Sequence, residues 1–561
     1  MLITPDTETS QGTDGRERSA LQVRLRLATS VLHNIRSDPD RWRSIFLVAI
    51  ASGAFAVWLL YLSSEQWFFT DDFDYFNFRH EPLIVWLLTP QNEHTVVFTK
   101  AWFVLLGHFV GLRHYFLYMI PIVASHLVVV AAIYRLTWIS TNSRVIASGV
   151  ALVSLAMGAA ISTLTWAGQL QYVGSVAAGL VVLDLAVERS GKRALTVLVA
   201  VAVFGTLNGS AFVAFGVAAA LVYASRRLWT EALLVAAIPL GWLVVSRLVW
   251  AAPDPYAATG LGQILSQGPW FAYSLLDTAI SWTLLETHLS FVVLAGLVVG
   301  TLTLISVDVR RRLTAMSARV VEGLALATIL TMASLIVARV SLPQDFWNRG
   351  NYSYLFLPSL VPIGGILLAH IARPKAALVG AGVVLVTISL LGAATFYAIS
   401  PSLHARKTNG ENLLRTAAAE LNAGMPTFAD EIPAPDTAPT VTQQRLRSLA
   451  ESGQLDATIV GSAETDQESL NMQWRLVSVG QPAGVCRDLS AGDGFAMPIG
   501  EYAWMTGLKP DAAIYLRYMN SDALRELKVP STAVILQTLS QRQAVITVAA
   551  ASVRVCLQNS G

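Results

Sequence analysis

Charge is scarce in this sequence: Asp, Glu, Lys and Arg make up 14% of its 561 residues, against about 25% in soluble domains. A chain so poor in charge and 54% hydrophobic reads as an integral membrane protein, with its apolar runs in a bilayer. The shortage is local. Residues 1–44 hold 13 charged residues and residues 401–561 hold 29, which leaves 34 for the 356 between. A net charge of only +2, with no Lys/Arg cluster beside aromatic residues on a soluble domain, excludes a nucleic-acid partner. Cysteine is nearly absent: there are two, with no Cys-x-x-Cys and no His-x-x-x-His spacing, so no zinc framework exists. Cys486 and Cys556 both follow the last apolar run. An oxidising compartment suits a disulfide between them, and the alternative is two buried free thiols. Repeats at solenoid periods and low-complexity tracts are also lacking.

What is present gives a topology. The polar segment 1–44 carries Arg16, Arg18, Arg24, Arg26, Arg36, Arg41 and Arg43 ahead of any apolar run, which is not how a cleaved signal peptide begins. Within it, 20–35 reads as a basic amphipathic helix on the inner membrane surface or as a plain solvated tail. Eleven apolar runs follow, at about 45–62, 115–134, 145–161, 173–187, 194–207, 211–224, 230–250, 281–306, 320–341, 355–372 and 376–399. With the N-terminus cytoplasmic, 20 cationic residues fall inside against 6 outside, as the positive-inside rule requires. Segment 95–110 would span only about 24 Å at ~1.5 Å per residue, short of the roughly 30 Å hydrocarbon core, so it is expected to lie along the membrane. Runs 194–207 and 211–224 meet at Asn208-Gly209-Ser210 and are read as two short spans or a re-entrant pair.

The expected fold is therefore mostly α: a polytopic membrane helix bundle of about 11 spans over 45–400. It is preceded by a cytoplasmic basic tail (1–44) and followed by an extracytoplasmic C-terminal domain (401–561). That tail opens with a helical or irregular linker rich in proline. Its later segments QWRLVSV, AIYLRYM, AVILQTL and AVITVAAASVRVCL are short, alternating and β-branched, which predicts a small β-sandwich or α/β domain. The host compartment is the cell membrane, with the active face outside.

The first external loop, 63–114, carries the densest acidic cluster near the membrane. Asp71, Asp72, Asp74, Glu81, Glu93 and His94 stand between aromatic residues in WFFTDDFDYFNFRHEPLIVWLLTPQNEH. Asp71 and Asp72 follow the first span closely enough to face a cavity at the membrane boundary, where apolar surroundings raise a carboxylate's pKa and make it a usable base. The bland reading is an acidic, solvated loop.

TDDFDYF after the first span, followed by PQNEH and an in-plane helix, resembles the GT-C superfamily of polyprenyl-phosphate-sugar-dependent glycosyltransferases. Thr165-Trp166-Ala167-Gly168-Gln169-Leu170-Gln171-Tyr172 is similar to the Trp-plus-polar segment that many members carry outside the third span. Members often have Arg and Asp where Gln169 and Gln171 stand here. Asn348-Arg349-Gly350-Asn351-Tyr352-Ser353-Tyr354 resembles the Arg-Tyr entry to a late span, with Gly350 and Asn351 intervening. The resemblance covers about 45–400. It implies transfer of one sugar, with inversion, from a polyprenyl-phosphate donor to a glycan or glycolipid acceptor of the cell envelope, with Asp71 or Asp72 as base. Glu93, His94, Gln169, Arg349 and Tyr352 would bind donor or substrate, with Arg79 and Lys100 as further phosphate ligands. Tyr352, Tyr354 and Trp347 also suit an interfacial aromatic belt. Asp, Glu and His together would suit a divalent cation, although no spaced ligand set is visible; otherwise Glu93 orients His94, or the pair caps the in-plane helix. Arg247 and Arg339 are read as snorkelling near outer span ends. Two classes compete with the enzyme: a lipid-linked glycan transporter or flippase, and a non-enzymatic membrane scaffold.

Overall fold

The computed structural model describes residues 39–76, 82–91, 94–188, 191–250, 257–283, 313–343, 350–371, 375–423, 428, 430–434, 438–459, 472, 474–477, 485–497, 501–508, 512–518, 524–528, 533–538, 544–548 and 552–559. The helix expected over 20–35, most of the run at 281–306, and Arg79, Glu93, Trp347 and Arg349 lie outside the described residues.

Long apolar runs without internal charge fold as helices because a bilayer leaves backbone groups no other partner. Eight of the described helices are long and apolar enough to cross a membrane. They are α1 (Pro39–Ser64), α4 (Tyr115–Thr141), α5 (Arg144–Leu155, continued through short turns to Leu164), α7 (Leu170–Glu188), α10 (Trp229–Val249), α12 (Ala315–Arg339), α13 (Gly350–Ile371) and α14 (Lys375–Asn422). Between them lie α2 (Leu83–Leu88), α3 (Val97–Val110), α6 (Ile161–Leu164), α8 (Lys192–Asn208), α9 (Phe212–Ser225) and α11 (Leu261–Thr283). Helix α3, with 14 residues, reaches about 21 Å and is too short to cross. Helices α8 and α9, with 17 and 14 residues, are also short, and they meet at Gly209-Ser210-Ala211, where the sequence breaks the run. Helix α11 coincides with no apolar run. Its buried residues Gly268, Phe271, Leu275, Thr278 and Ala279 recur at helical spacing along one face.

The bundle has an inside and an outside. Helix α7 is buried almost all round and packs on α4, α8 and α9, whereas α1, α10 and α14 leave Ile50, Val57, Leu248, Val383 and Leu390 exposed. A surface of that kind on a chain this hydrophobic suits contact with lipid. At one end of α7, Arg135 Nε donates to both Asp184 oxygens, at 2.7 and 2.9 Å, and a second guanidinium nitrogen reaches Glu188. Replacing Arg135 by leucine removes the bidentate partner of the mostly buried Asp184. The expected loss is on the order of 1–3 kcal/mol, below the fully buried figure because the Arg135 side chain is 32% exposed. Thermal unfolding in detergent would measure it, and Arg135→Leu combined with Asp184→Leu should recover most of the loss.

Helix α14 runs 48 residues without interruption, through the position where a domain boundary was expected. The hydrophobic core that holds the spans takes in Leu414, Ala417, Val441, Leu446 and Met472, so only the chain beyond it forms a separate core. The segment after α14 includes α15 (Gln443–Glu451) and docks on the α3–α4 corner. There Leu112 N–H donates to Gln454 O (2.8 Å), and Arg113 donates to Gly453 O and Asp456 (3.0 and 2.7 Å). Gly111 is required at this corner: its φ is +60°, and a Cβ would stand 2.7 Å from the Gln454 backbone.

Beyond 473 the described residues form nine strands: β1 (Trp474–Val477), β2 (Val485–Ser490), β3 (Gly494–Met497), β4 (Glu501–Thr506), β5 (Ala513–Tyr518), β6 (Arg525–Lys528), β7 (Ala533–Thr538), β8 (Ala544–Val548) and β9 (Ser552–Asn559). They make a five-stranded sheet in the order β1-β7-β4-β9-β2 and a four-stranded sheet in the order β3-β8-β5-β6, with antiparallel pairing throughout. Leu489, Ala503, Met505, Leu536 and Val555 from the first sheet share a core with Phe495, Ile514, Leu516, Ile546 and Val548 from the second. This is sandwich packing of two inner faces. Cys486 and Cys556 stand directly opposite each other on β2 and β9 and are disulfide-bonded.

Candidate active site

The acidic pair sits in a single 3-10 turn, Thr70–Tyr75, just past α1, and its two carboxylates have different surroundings. Asp72 is fully buried. Its Oδ1 accepts from Trp166 Nε1 (3.0 Å) and Gly168 N (2.9 Å), and its Oδ2 accepts from Phe69 N (3.1 Å) and Tyr115 Oη (3.2 Å). Tyr115 Oη in turn accepts from Ala167 N at 2.8 Å, which commits the phenolic hydrogen to Asp72. Four donors therefore occupy both oxygens. Gly168 is the residue that allows this approach, since a Cβ there would lie 3.0 Å from Asp72 Oδ1 and 2.8 Å from the Tyr75 ring. Burial pushes the Asp72 carboxyl up to about 7, against the lowering pull of the Lys407 ammonium and of the hydrogen bonds from Phe69, Tyr115 and Gly168.

Asp71 faces the other way, into a cavity of about 450 Å³ shared with Trp166, Trp282, Ser162, Asn351 and Lys407. Thr70, also on the cavity wall, has φ +45°, a left-handed conformation that a β-branched residue adopts only under strain. The Phe69 N–H to Asp72 bond spans this strained residue and holds the turn that presents Asp71. Ser162 Oγ and Asn351 Oδ1 are buried on the wall without hydrogen-bond partners. Aromatic faces beside unpaired oxygens suit a polyhydroxylated ligand.

A second cavity, of about 460 Å³, lies on the other side of the first turn of α13. Gly350 and Asn351 line the first cavity, while Tyr352 and Leu355 line the second. Its polar end carries His94, Ser210, Arg247 and Arg339, and the rest is largely apolar, with Leu243, Leu330 and Val337. Arg339 is 7% exposed and its Nη2 stands 3.3 Å from His94 Nε2. A guanidinium can only donate, so Nε2 accepts and the imidazole proton resides on Nδ1, 3.0 Å from Ser210 Oγ.

The residues singled out in the sequence thus have different places. Asp71 lines the first cavity and Asp72 lies beneath it. His94 and Tyr352 meet in the second cavity, so Tyr352 belongs to a buried wall rather than an interfacial belt, and Tyr354 is fully buried against His126, which takes its hydroxyl at 2.9 Å. Gln169 is buried with its Oε1 unpaired and lines neither cavity. Lys100 is also absent from both: its Nζ donates to Trp86 O (2.9 Å) and Thr89 O (2.6 Å) and so caps the C-terminal end of α2. Among the described residues no three His, Cys, Asp or Glu side chains form a cluster fit to hold a metal ion. Arg339 does not snorkel outward but turns into the second cavity, and Arg247 lines it too. Their shared signal was an arginine in the last turn of each of two apolar helices. Lys407 carried no signal, since only the fold brings it to residues more than 200 positions away. No family model matches this chain, and no curated protein and no solved structure does either.

Proposed function

We propose that this protein is a membrane glycosyltransferase that moves a sugar from a polyprenyl-phosphate donor to a hydroxyl of a glycan or glycolipid of the cell envelope. The observation that carries the reading is the division of labour in the acidic pair: Asp72 has all four acceptor positions occupied, while Asp71 opens on a cavity with aromatic walls and unpaired oxygens. In this reading Asp71 takes the proton of the acceptor hydroxyl as the new C–O bond forms at the anomeric carbon. The bond from that carbon to the phosphate oxygen breaks, and the leaving polyprenyl phosphate takes both bonding electrons. One displacement with one base inverts the anomeric centre. Arg339, Arg247 and the Ser210–His94 pair would hold the phosphate of a donor that reaches past the first turn of α13, where Asn351 lines one cavity and Tyr352 the other, with the arginines stabilising its gain of charge through charge-assisted hydrogen bonds. The apolar part of the second cavity would take the first isoprene units. Asp71 would then lie on the outer side, consistent with the distribution of cationic residues.

The test is release of polyprenyl phosphate by the purified protein from a panel of radiolabelled polyprenyl-phosphate sugars, with membrane extract as acceptor. Release by the wild type supports the reading and names the sugar. Absence of release with every donor, from folded protein, moves the second cavity to a transporter's lipid site. Arg339→Gln is expected to raise the donor KM by roughly 10- to 150-fold, the equivalent of one lost hydrogen bond to a charged group, without changing the thermal midpoint by more than a few degrees.

A further inference from the structure

Lys407 is a cation with no part in the chemistry above. It stands on α14, 341 positions from Gln66, and is 6% exposed. Its Nζ donates to Gln66 Oε1 at 2.6 Å and to Thr165 O at 2.8 Å and lies 5.2 Å from the centre of the Tyr115 ring. These three contacts bracket the acidic turn. Gln66 lies in the segment that leads into it, Thr165 precedes the Trp166 that binds Asp72, and Tyr115 carries the hydroxyl that binds the same carboxylate. A buried ammonium needs a compensating charge; Lys407 shares its cavity with Asp71 and acts electrostatically on the Asp72 carboxylate. We infer that Lys407 is a positioning residue, whose ammonium clamps the entry to the Asp71–Asp72 turn against the Thr165–Trp166 corner and lowers the cost of charging the buried Asp72.

The role in turnover rests on the glycosyltransferase reading, but the clamp does not. Asp72 meets Lys407 from α14 and Tyr115 from α4, and it acts in turn on Tyr118 of α4 and on Tyr75 of its own turn. Of these only Lys407 is a cation. Because the Asp72 carboxyl titrates higher in the folded protein, near 7, than in an unfolded chain, near 3.9, its contribution to stability is full at low pH. That contribution falls as pH rises and levels off above about 7. The gap in unfolding midpoint between wild type and Asp72→Asn isolates this contribution.

The experiment records that gap from pH 4 to 9 in detergent, in the Lys407 wild type and again with Lys407→Gln and Lys407→Arg. Glutamine keeps a donor for Gln66 and Thr165 but no charge; arginine keeps the charge. The expected result is that Lys407→Gln moves the levelling pH upward by about one unit or more, while Lys407→Arg leaves it near the wild-type value. An unchanged levelling pH in Lys407→Gln would overturn the inference. With an active donor in hand, Lys407→Gln should lower kcat at neutral pH and shift its acid limb upward with little change in KM, whereas a substrate ligand would raise KM instead and so refute the positioning role. Failure of the wild type to release polyprenyl phosphate sinks the enzymatic reading alone, since the midpoint measurement requires no turnover.

Discussion

Asp71→Asn should leave a folded protein that binds donor and does not turn it over, with kcat lower by roughly 10²- to 10⁴-fold, the usual contribution of a positioned general base. Its carboxylate opens on the first cavity and lies outside the Asp72 network, and asparagine keeps its size and an acceptor oxygen, so the thermal midpoint should stay close to that of the wild type. The donor KM should also hold, because the proposed phosphate ligands line the other cavity. A kcat within threefold of the wild type would remove Asp71 from the chemistry and leave the site without an accessible base among the described residues.

Asp72→Ala is expected to act through the fold. It strands Phe69 N–H, Trp166 Nε1–H, Gly168 N–H and the Tyr115 hydroxyl, at about 1–3 kcal/mol for each donor that finds no other partner. Two stranded donors already amount to roughly 2–6 kcal/mol, a large part of the ~5–15 kcal/mol that holds a domain together. Water entering the space left by the carboxylate offsets part of this, and relief from burying a charge offsets more above pH 7. The variant should therefore be weakest relative to the wild type under acid conditions, where the wild type carries Asp72 neutral at no desolvation cost. Thermal unfolding of Asp71→Asn and Asp72→Ala side by side separates the two roles: one loses rate at constant midpoint, the other loses both. Equal midpoints across the acidic pH range would show that the Asp72 network does not hold the turn.

Much of the bundle is legible in the sequence because hydrophobic length alone decides whether a helix can cross a bilayer. Helices α1, α4, α7, α10 and α12 follow from unbroken runs, and Gly209-Ser210 marks the break between α8 and α9. Helix α11 escapes that reasoning because its residues 261–283 alternate between faces, so no run builds up. Strands β5, β7 and β8 show through their alternating β-branched residues. In contrast β2 and β6, VCRDLS and RELK, carry charge on their exposed sides and lack that alternation of β-branched residues. At the site, the two segments Asp71–Asp72 and Thr165–Trp166 are visible as motifs, and the structure brings them into contact. The unequal burial of adjacent aspartates is not visible, because it depends on Gly168 and Tyr115, neither of which differs in type from dozens of other residues. Arg339 was legible as a charge and illegible as a direction, since the same arginine at a span end turns outward or inward according to its neighbours, here His94.

The reach of Lys407 back to Gln66 has a consequence for how the protein is made. Ribosomes add roughly 5–20 residues per second, so the 341 positions between these two side chains mean that the acidic turn exists for on the order of tens of seconds before its clamp is synthesised. Throughout that interval the first spans have been delivered to the bilayer while the turn lacks the ammonium that steadies it. The nascent chain thus holds an unclamped acidic turn until α14 supplies Lys407.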